Sequence, residues 1–210
     1  MAKDVAIKFM NHKSEAAIDE FKREVDIMKQ VKGPNVVLFY GAVLKEPDYC
    51  HVTELMDLVM KIKMLIDVAR GMETVHSFNI ICKITDFGTS RGMIEGISMT
   101  MTKNQGTPLY MAPEILDGDQ HYDNTVDIYS FGIMMAFVWN DGEQPYSDYS
   151  KRKIYLQGDI ASGLRPTLKD GCPVELVQVM QSSWSGNPAE RQPFSSIVSF
   201  LEKVLAYYRQ

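Results

Sequence analysis

Apolar and polar residues alternate along the first part of the chain in the pattern of a small sheet with one helix. Residues 4–10 form a short apolar run rich in β-forming residues, which predicts a strand. Residues 14–31 repeat apolar side chains at helical spacing, and Ser14 is a suitable N-cap. Two apolar runs, 36–44 and 49–56, flank the polar sequence KEPD and predict a pair of strands.

From residue 57 onward the pattern becomes mainly helical. Residues 57–77 predict a long helix with one apolar face. That face consists of Ile62, Leu65, Ile66, Ala69 and Met72. Residues 125–139 are apolar nearly all round, which predicts a buried helix. Short strands are predicted at 79–81 and 82–85, and helices near 173–184 and 194–208. The order of elements predicts an α+β protein with a strand-plus-helix lobe followed by a helical lobe.

Composition and charge exclude several classes of protein. The 210 residues are 45% hydrophobic and 23% charged, as in an ordinary soluble protein. A formal net charge of −5 argues against a nucleic-acid partner, which needs clustered Lys and Arg. The longest apolar run, 131–139, is too short to span a bilayer, and the N-terminus lacks the apolar core of a signal peptide. Three scattered cysteines indicate free thiols, so we expect a cytoplasmic protein.

Two charged residues occupy unusual places in the predicted apolar elements. Glu24 lies three residues after Phe21 and four before Met28, so its carboxylate is on the apolar side of its helix. Lys8 ends an apolar strand. A buried carboxylate needs a cationic partner. Either Glu24 merely flanks the apolar stripe, or Lys8 and Glu24 pair across the strand–helix interface and hold the lysine in a cleft, where it is suited to binding phosphate oxygens.

Asp86 is the candidate metal ligand. The tripeptide Asp86-Phe87-Gly88 is a weak motif alone, but it follows a predicted strand and opens a polar loop. A carboxylate is a natural ligand for the Mg²⁺ that accompanies phosphate.

Several motifs in a fixed order resemble those of a protein kinase of the tyrosine-kinase-like group. They are VAIK (5–8), a glutamate 16 residues later, VTELMD (52–57), KITDFGTSR (83–91), GTPLYMAPE (106–114), VDIYSFG (126–132) and NPAERQPF (187–194). The resemblance implies a kinase-like two-lobe fold with a truncated N-terminal sheet lobe, 1–56, and a mainly helical C-terminal lobe, 57–210. The activation segment would be 86–114.

The resemblance also implies a role for each matching residue. Lys8 would contact the α- and β-phosphates of ATP and Glu24 would hold it, while Asp86 would bind Mg²⁺. The other nucleotide contacts would be Ala6 over the adenine ring, Thr53 as gatekeeper, and the Glu54 carbonyl and Met56 amide at the adenine edge. Together with the nucleotide, a protein substrate or protein partner is expected.

Further positions would be structural or regulatory. Glu114 would pair with Arg191, and Asp127 would bond the backbone of the catalytic loop. Ser98, Thr100 and Thr102 lie where activation-loop phosphorylation sites usually fall. The form of GTPLYMAPE is that of Ser/Thr kinases, which favours Ser and Thr over Tyr as acceptors.

Three pieces of the kinase pattern are missing. Only seven residues precede Lys8, so we expect no Gly-rich loop, and residues 54–57 run almost directly into the long helix. The catalytic loop H-R-D-L-x-x-x-N cannot fit between Ile81 and Cys82, which are adjacent. The nearby candidates His76, Asn79, Asp67 and Glu73 offer no credible general base.

The missing loop has two expected consequences. Asp127, a charge in a nearly all-apolar helix, would lose its partner, which costs about 3–5 kcal/mol. Catalysis would be impaired, and Mg-ATP would bind weakly if at all. Three interpretations stay open: an incomplete chain of an ATP:protein phosphotransferase, a pseudokinase that binds or regulates partner proteins, and a remnant that never folds stably.

Overall fold

The computed structural model describes residues 4–10, 14–33, 37–78, 80–81, 108–118 and 122–209. The chain divides into a first unit, Met1–Met60, and a second unit, Lys61–Gln210. Each unit has its own secondary structure and its own buried side chains.

The first unit is a three-stranded antiparallel sheet with one helix, as the sequence pattern predicts. Its elements in chain order are β1 (Val5–Phe9), α1 (Glu15–Gln30), β2 (Phe39–Lys45) and β3 (Asp48–Glu54), and the strand order is β1-β3-β2. The predicted N-cap is confirmed, because the Ser14 side chain accepts a hydrogen bond from the Ala17 N–H at 3.3 Å. The cap satisfies one of the free amides that begin every helix.

Helix α1 packs its apolar stripe on one face of this sheet. Phe21 and Val25 are buried on the helix, and His51 is buried on the face of β3 that the helix covers. The Phe21 ring stacks on the His51 imidazole with 5.9 Å between centroids and 4° between ring planes. The opposite face keeps Val5, Ile7 and Phe9 exposed, so the core of this unit lies between α1 and the central strand.

The second unit is helical. Its α-helices are α2 (Leu58–Ser77, which begins in the first unit), α3 (Pro113–Leu116), α4 (Thr125–Trp139), α5 (Leu156–Ala161), α6 (Val174–Ser183) and α7 (Phe194–Tyr208). The predicted apolar face of α2 is confirmed, since Ile62, Leu65, Ile66, Ala69 and Met72 are all buried. The helices predicted near 173–184 and 194–208 are confirmed as α6 and α7, and α3 and α5 were not predicted.

The predicted buried helix is confirmed as α4. It buries 12 of its 15 residues, including Asp127, Tyr129 and Ser130, and so forms the centre of the unit. Gly132 lets α6 approach closely, because a Cβ there would lie 2.9 Å from the Ser183 Cβ. Only a glycine therefore fits the observed spacing of α4 and α6 without a shift.

Of the two short strands predicted after α2, only the first includes described residues. Ile80 and Ile81 are not in a strand, contrary to the strand predicted at 79–81, and 82–85 lie outside the described residues.

Over the described part of the chain, no helix has the length and apolar character needed to cross a membrane.

Candidate functional site

Pairing of β1 with β3 places the predicted nucleotide residues side by side. Ala6 lies opposite Thr53, and Lys8 lies opposite His51. Directly opposed residues share a face of a sheet. Because His51 stacks on Phe21 of α1, all four side chains belong to the face that α1 covers. Lys8 is exposed at the end of this row, and Thr53 is half-buried.

Glu24 lies near the same face, one turn after Phe21 on α1, and is half-buried. Lys8 and Glu24, both of which the structure describes, do not approach within the 4.0 Å of an ion pair. Both charges act instead on the His51 imidazole. Burial lowers the pKa of the His51 imidazole, the Glu24 carboxylate opposes that effect, and the Lys8 ammonium adds to it.

One backbone donor just after β3 has no hydrogen-bond partner among the described residues. The Leu38 N–H donates to the Glu54 carboxylate at 2.8 Å, and the Glu54 N–H donates to the Leu38 carbonyl at 2.9 Å. These bonds fix the strand end. Two residues later, the Met56 N–H makes no hydrogen bond among the described residues. The Met56 amide, which is predicted to contact the adenine edge, therefore has no competing partner among the described residues.

The metal ligand and the loop sites cannot be placed in the same way. Asp86, Ser98, Thr100 and Thr102 lie outside the described residues, as does Asn79. Within the described ranges, His, Cys, Asp and Glu side chains form no group of three or more that could hold a metal ion. Asp86 therefore stays a prediction as the Mg²⁺ ligand.

Glu114 and Arg191 come together in the second unit. Arg191 Nη1 donates to Glu114 Oε1 at 2.6 Å, and Nη2 donates to Oε2 at 2.9 Å. The arginine also donates to the Ser185 carbonyl at 3.0 Å and to the Thr125 carbonyl at 3.1 Å. Its guanidinium lies over the Tyr129 ring, 5.2 Å from the centroid. Arg191, which precedes α7, therefore links to both the start of α3 through Glu114 and the start of α4 through the Thr125 carbonyl.

Asp127 has a partner, so the expectation of an unpaired buried charge is wrong. His76 Nε2 lies 3.0 Å from Asp127 Oδ2, and the two side chains are 10% and 1% exposed. His76 is in the last turn of α2, four residues after Met72, on the buried side of the helix. Its ring also packs against the Phe194 ring, with 5.0 Å between centroids.

Sequence reasoning weighed His76 only as a replacement base and did not consider His51. In both cases a usable signal was present. His76 extends the apolar stripe of α2 by one step of four residues, and His51 precedes Thr53 by two residues in an apolar strand. A polar ring at such a position needs a specific partner.

Comparison with known proteins gives one consistent result. A family model for protein tyrosine and serine/threonine kinases matches residues 1–60 and 74–201. The dual specificity protein kinase shkA of Dictyostelium discoideum is 30% identical over 97% of the chain and 45% of its own length. The serine/threonine-protein kinase STY17 of Arabidopsis thaliana is 31% identical over 97% of the chain and 41% of its own length.

A third relative is a probable LIM domain-containing serine/threonine-protein kinase of Dictyostelium discoideum. It is 32% identical over 96% of the chain and 24% of its own length. The chain spans between 14% and 45% of the length of such relatives.

Proposed function

Because this chain belongs to the protein tyrosine and serine/threonine kinase family, we propose that its site is derived from one that transfers phosphate from ATP to Ser or Thr of a protein substrate. We propose further that the chain keeps the nucleotide-binding residues of that site and is catalytically impaired. The names of its relatives, serine/threonine and dual specificity kinases, support the acceptor class. A signalling role in the cytoplasm fits the free thiols of Cys50 and Cys172.

The geometry of the first unit supports nucleotide binding. The free Met56 N–H and the Glu54 carbonyl would contact the adenine edge, with Ala6 and Thr53 against the ring. The ammonium of Lys8, exposed at the end of the same face, would bind phosphate oxygens. Mg²⁺, which we propose that Asp86 holds, would neutralise phosphate charge when bound. Weak binding is expected, because Lys8 is not held by an ion pair to Glu24.

The observation that carries the proposal of impairment is the position of His76. A general base must come within hydrogen-bonding reach of the acceptor hydroxyl. Here the His76 ring is 10% exposed, Nε2 is engaged by the Asp127 carboxylate, and the ring packs against Phe194. The one histidine near the missing loop is therefore part of the packing of the helical unit. No H-R-D-L segment separates Ile81 from Cys82 to supply another base.

The alignments with relatives support the same proposal. The alignment to the LIM domain-containing kinase is 238 positions long, although it uses 96% of a chain of only 210 residues. That relative therefore carries internal residues with no counterpart here.

An alternative function is a pseudokinase that binds a partner protein. One observation favours it: the buried charges of the helical unit are paired without a catalytic loop. Asp127 has His76, and Glu114 has Arg191. A stable helical surface without a general base is what a scaffold or regulator of this family needs.

The test is a radiolabelled-ATP assay of the purified chain with a Ser/Thr peptide mixture. We expect no detectable incorporation into peptide or into the chain itself. Matched variants are Asp86→Ala, His76→Gln, and an insertion of H-R-D-L-x-x-x-N between Ile81 and Cys82. General-base catalysis typically contributes about 10²–10⁴-fold, so the insertion is expected to raise incorporation toward that range. Robust incorporation that Asp86→Ala or His76→Gln abolishes would overturn the proposal.

Nucleotide binding is tested separately by calorimetry with Mg-ATP. Weak binding that Lys8→Met reduces further is expected, with Lys22→Met on the exposed side of α1 as the control. A sub-micromolar dissociation constant, or equal binding by the Lys8→Met variant, would contradict the assignment of Lys8.

A further inference from the structure

His51 lies at the centre of the first unit in a place where an apolar ring would be simpler. Its side chain is 5% exposed, its ring stacks on Phe21, and its neighbours across the strands are Lys8 and Ala42. Its Nδ1 is buried and makes no hydrogen bond among the described residues. A phenylalanine would keep the stacking and avoid a buried polar atom, so packing alone does not explain a histidine.

Two opposite charges act on this ring. Lys8 is its cross-strand partner on β1, and Glu24 is on α1, one turn after the stacked Phe21. From β2 it faces Ala42, which carries no charge. Glu24 favours the protonated ring and Lys8 disfavours it, while burial keeps the pKa of the imidazole below its usual value. His51 is therefore a group on which the charges of both predicted site residues, Lys8 and Glu24, act.

We propose that His51 is a positioning residue for Lys8 and Glu24, and that the proton on its ring decides which cation the Glu24 carboxylate pairs with. With a neutral ring, Glu24 is free to pair with Lys8 when the lysine binds phosphate. When the ring takes a proton from solvent, Glu24 turns to the imidazolium, and Lys8 is repelled from the same place. This inference rests on the proposed nucleotide function of Lys8.

The burial of His51 and the half-burial of Glu24 strengthen the effect of the ring proton on the Glu24 carboxylate. Between exposed groups in water such an exchange of partners is weak, because solvent screens each charge. Here the ring is buried and the Glu24 side chain half-buried, so their interaction is screened less. Lys8 is exposed and can leave for solvent when the ring is charged.

The first experiment measures the proton on His51 itself. The ring Cε1–H resonance, assigned through contacts to the Phe21 ring, is followed by NMR against pH in the whole chain. Glu24→Gln is expected to lower the pKa of His51, and Lys8→Met is expected to raise it. Glu20→Gln and Lys22→Met, exposed on the same helix, are the controls. The proposal is overturned if Glu24→Gln and Lys8→Met shift the titration no more than their controls do.

The second experiment links the proton to the site. Mg-ATP binding is compared by calorimetry at one pH below and one pH above the titration midpoint of His51 that the NMR experiment gives, because the pKa of this ring is lowered from its ordinary value. The wild-type chain is expected to lose at least about threefold more affinity at the lower pH than the His51→Phe variant does. Because the variant has no titrating ring at this position, its own loss of affinity measures the effect of protonating the nucleotide. Equal losses would overturn the role of His51. Absence of binding at either pH would contradict the proposed nucleotide function, while the NMR shifts would still test the charge coupling.

Discussion

Arg191→Met is expected to destabilise the second unit strongly, because no part of this side chain is solvent-exposed. Its guanidinium makes two hydrogen bonds to the Glu114 carboxylate, at 2.6 and 2.9 Å. It also donates to the Ser185 and Thr125 carbonyls and lies over the Tyr129 ring. Methionine keeps much of the volume and removes every one of these donors.

The magnitude follows from what the substitution leaves behind. The Glu114 side chain is 15% exposed, so after the change its charge is largely buried without its partner. Removing one partner of a buried ion pair costs about 3–5 kcal/mol. For a protein of this size each kcal/mol lowers the melting temperature by about 2–4 °C, so the expected decrease is roughly 6–20 °C. A loss of about 3–5 kcal/mol is a large share of a typical unfolding free energy of about 5–15 kcal/mol.

The assay is thermal and urea unfolding followed by circular dichroism. The control is Arg70→Met, because the Arg70–Glu202 pair is exposed, at 56% and 46%, and should be worth at most about 1 kcal/mol. The double variant Arg191→Met/Glu114→Leu is expected to be more stable than Arg191→Met alone, since it leaves no unpaired charge. The reasoning would be refuted if Arg191→Met lowered the unfolding free energy no more than Arg70→Met does. It would also be refuted if the double variant lost as much stability as the Arg191→Met and Glu114→Leu single variants added together.

Three further predictions concern other contacts. Gly132→Ala is expected to lower the unfolding free energy measured in urea by about 1–3 kcal/mol, because the new Cβ would lie 2.9 Å from the Ser183 Cβ of α6. Gly71→Ala is the control: its Cβ would enter open space, so the substitution should stabilise α2 by about 0.5–1 kcal/mol. His76→Ala is expected to lower the unfolding free energy by about 1–3 kcal/mol, since it removes a hydrogen bond to the buried Asp127 carboxylate; an unchanged urea midpoint would contradict this. The pKa of His51 is lowered in the folded chain, so as pH falls below about 6.5 the unfolded chain binds a proton that the folded chain does not, and stability is lost. Urea unfolding between about pH 8 and pH 5 should show this decline in the wild type and a shallower one in His51→Phe.

Local periodicity was sufficient for the longer elements of the fold. Helices α2 and α4 have 20 and 15 residues, enough turns for an apolar stripe or an all-apolar surface to be recognised. By contrast, α3 and α5 have four and six residues. A segment that short shows less than two full turns, so its helical form depends on its neighbours in space.

The candidate site was predictable only where strand pairing determined it. Ala6 comes next to Thr53 because two predicted strands pair in register. The relation of Lys8 to Glu24 depends on a third group, His51, that the motifs do not include. The strand pattern places His51 on the same face as Thr53, but it does not show that Phe21 of the adjacent helix stacks on the histidine ring.

The pairing of His76 with Asp127 bears on what a restored catalytic loop would meet. The two residues are 51 positions apart, so the contact depends on the packing of α2 beside α4. His76 therefore belongs to the packing of the helical unit, where its Nε2 lies 3.0 Å from Asp127 Oδ2. Combining the H-R-D-L insertion with His76→Gln separates the two possible bases. A gain of phosphate transfer that His76→Gln leaves unchanged would assign catalysis to the inserted aspartate, and a gain that His76→Gln abolishes would assign it to the histidine.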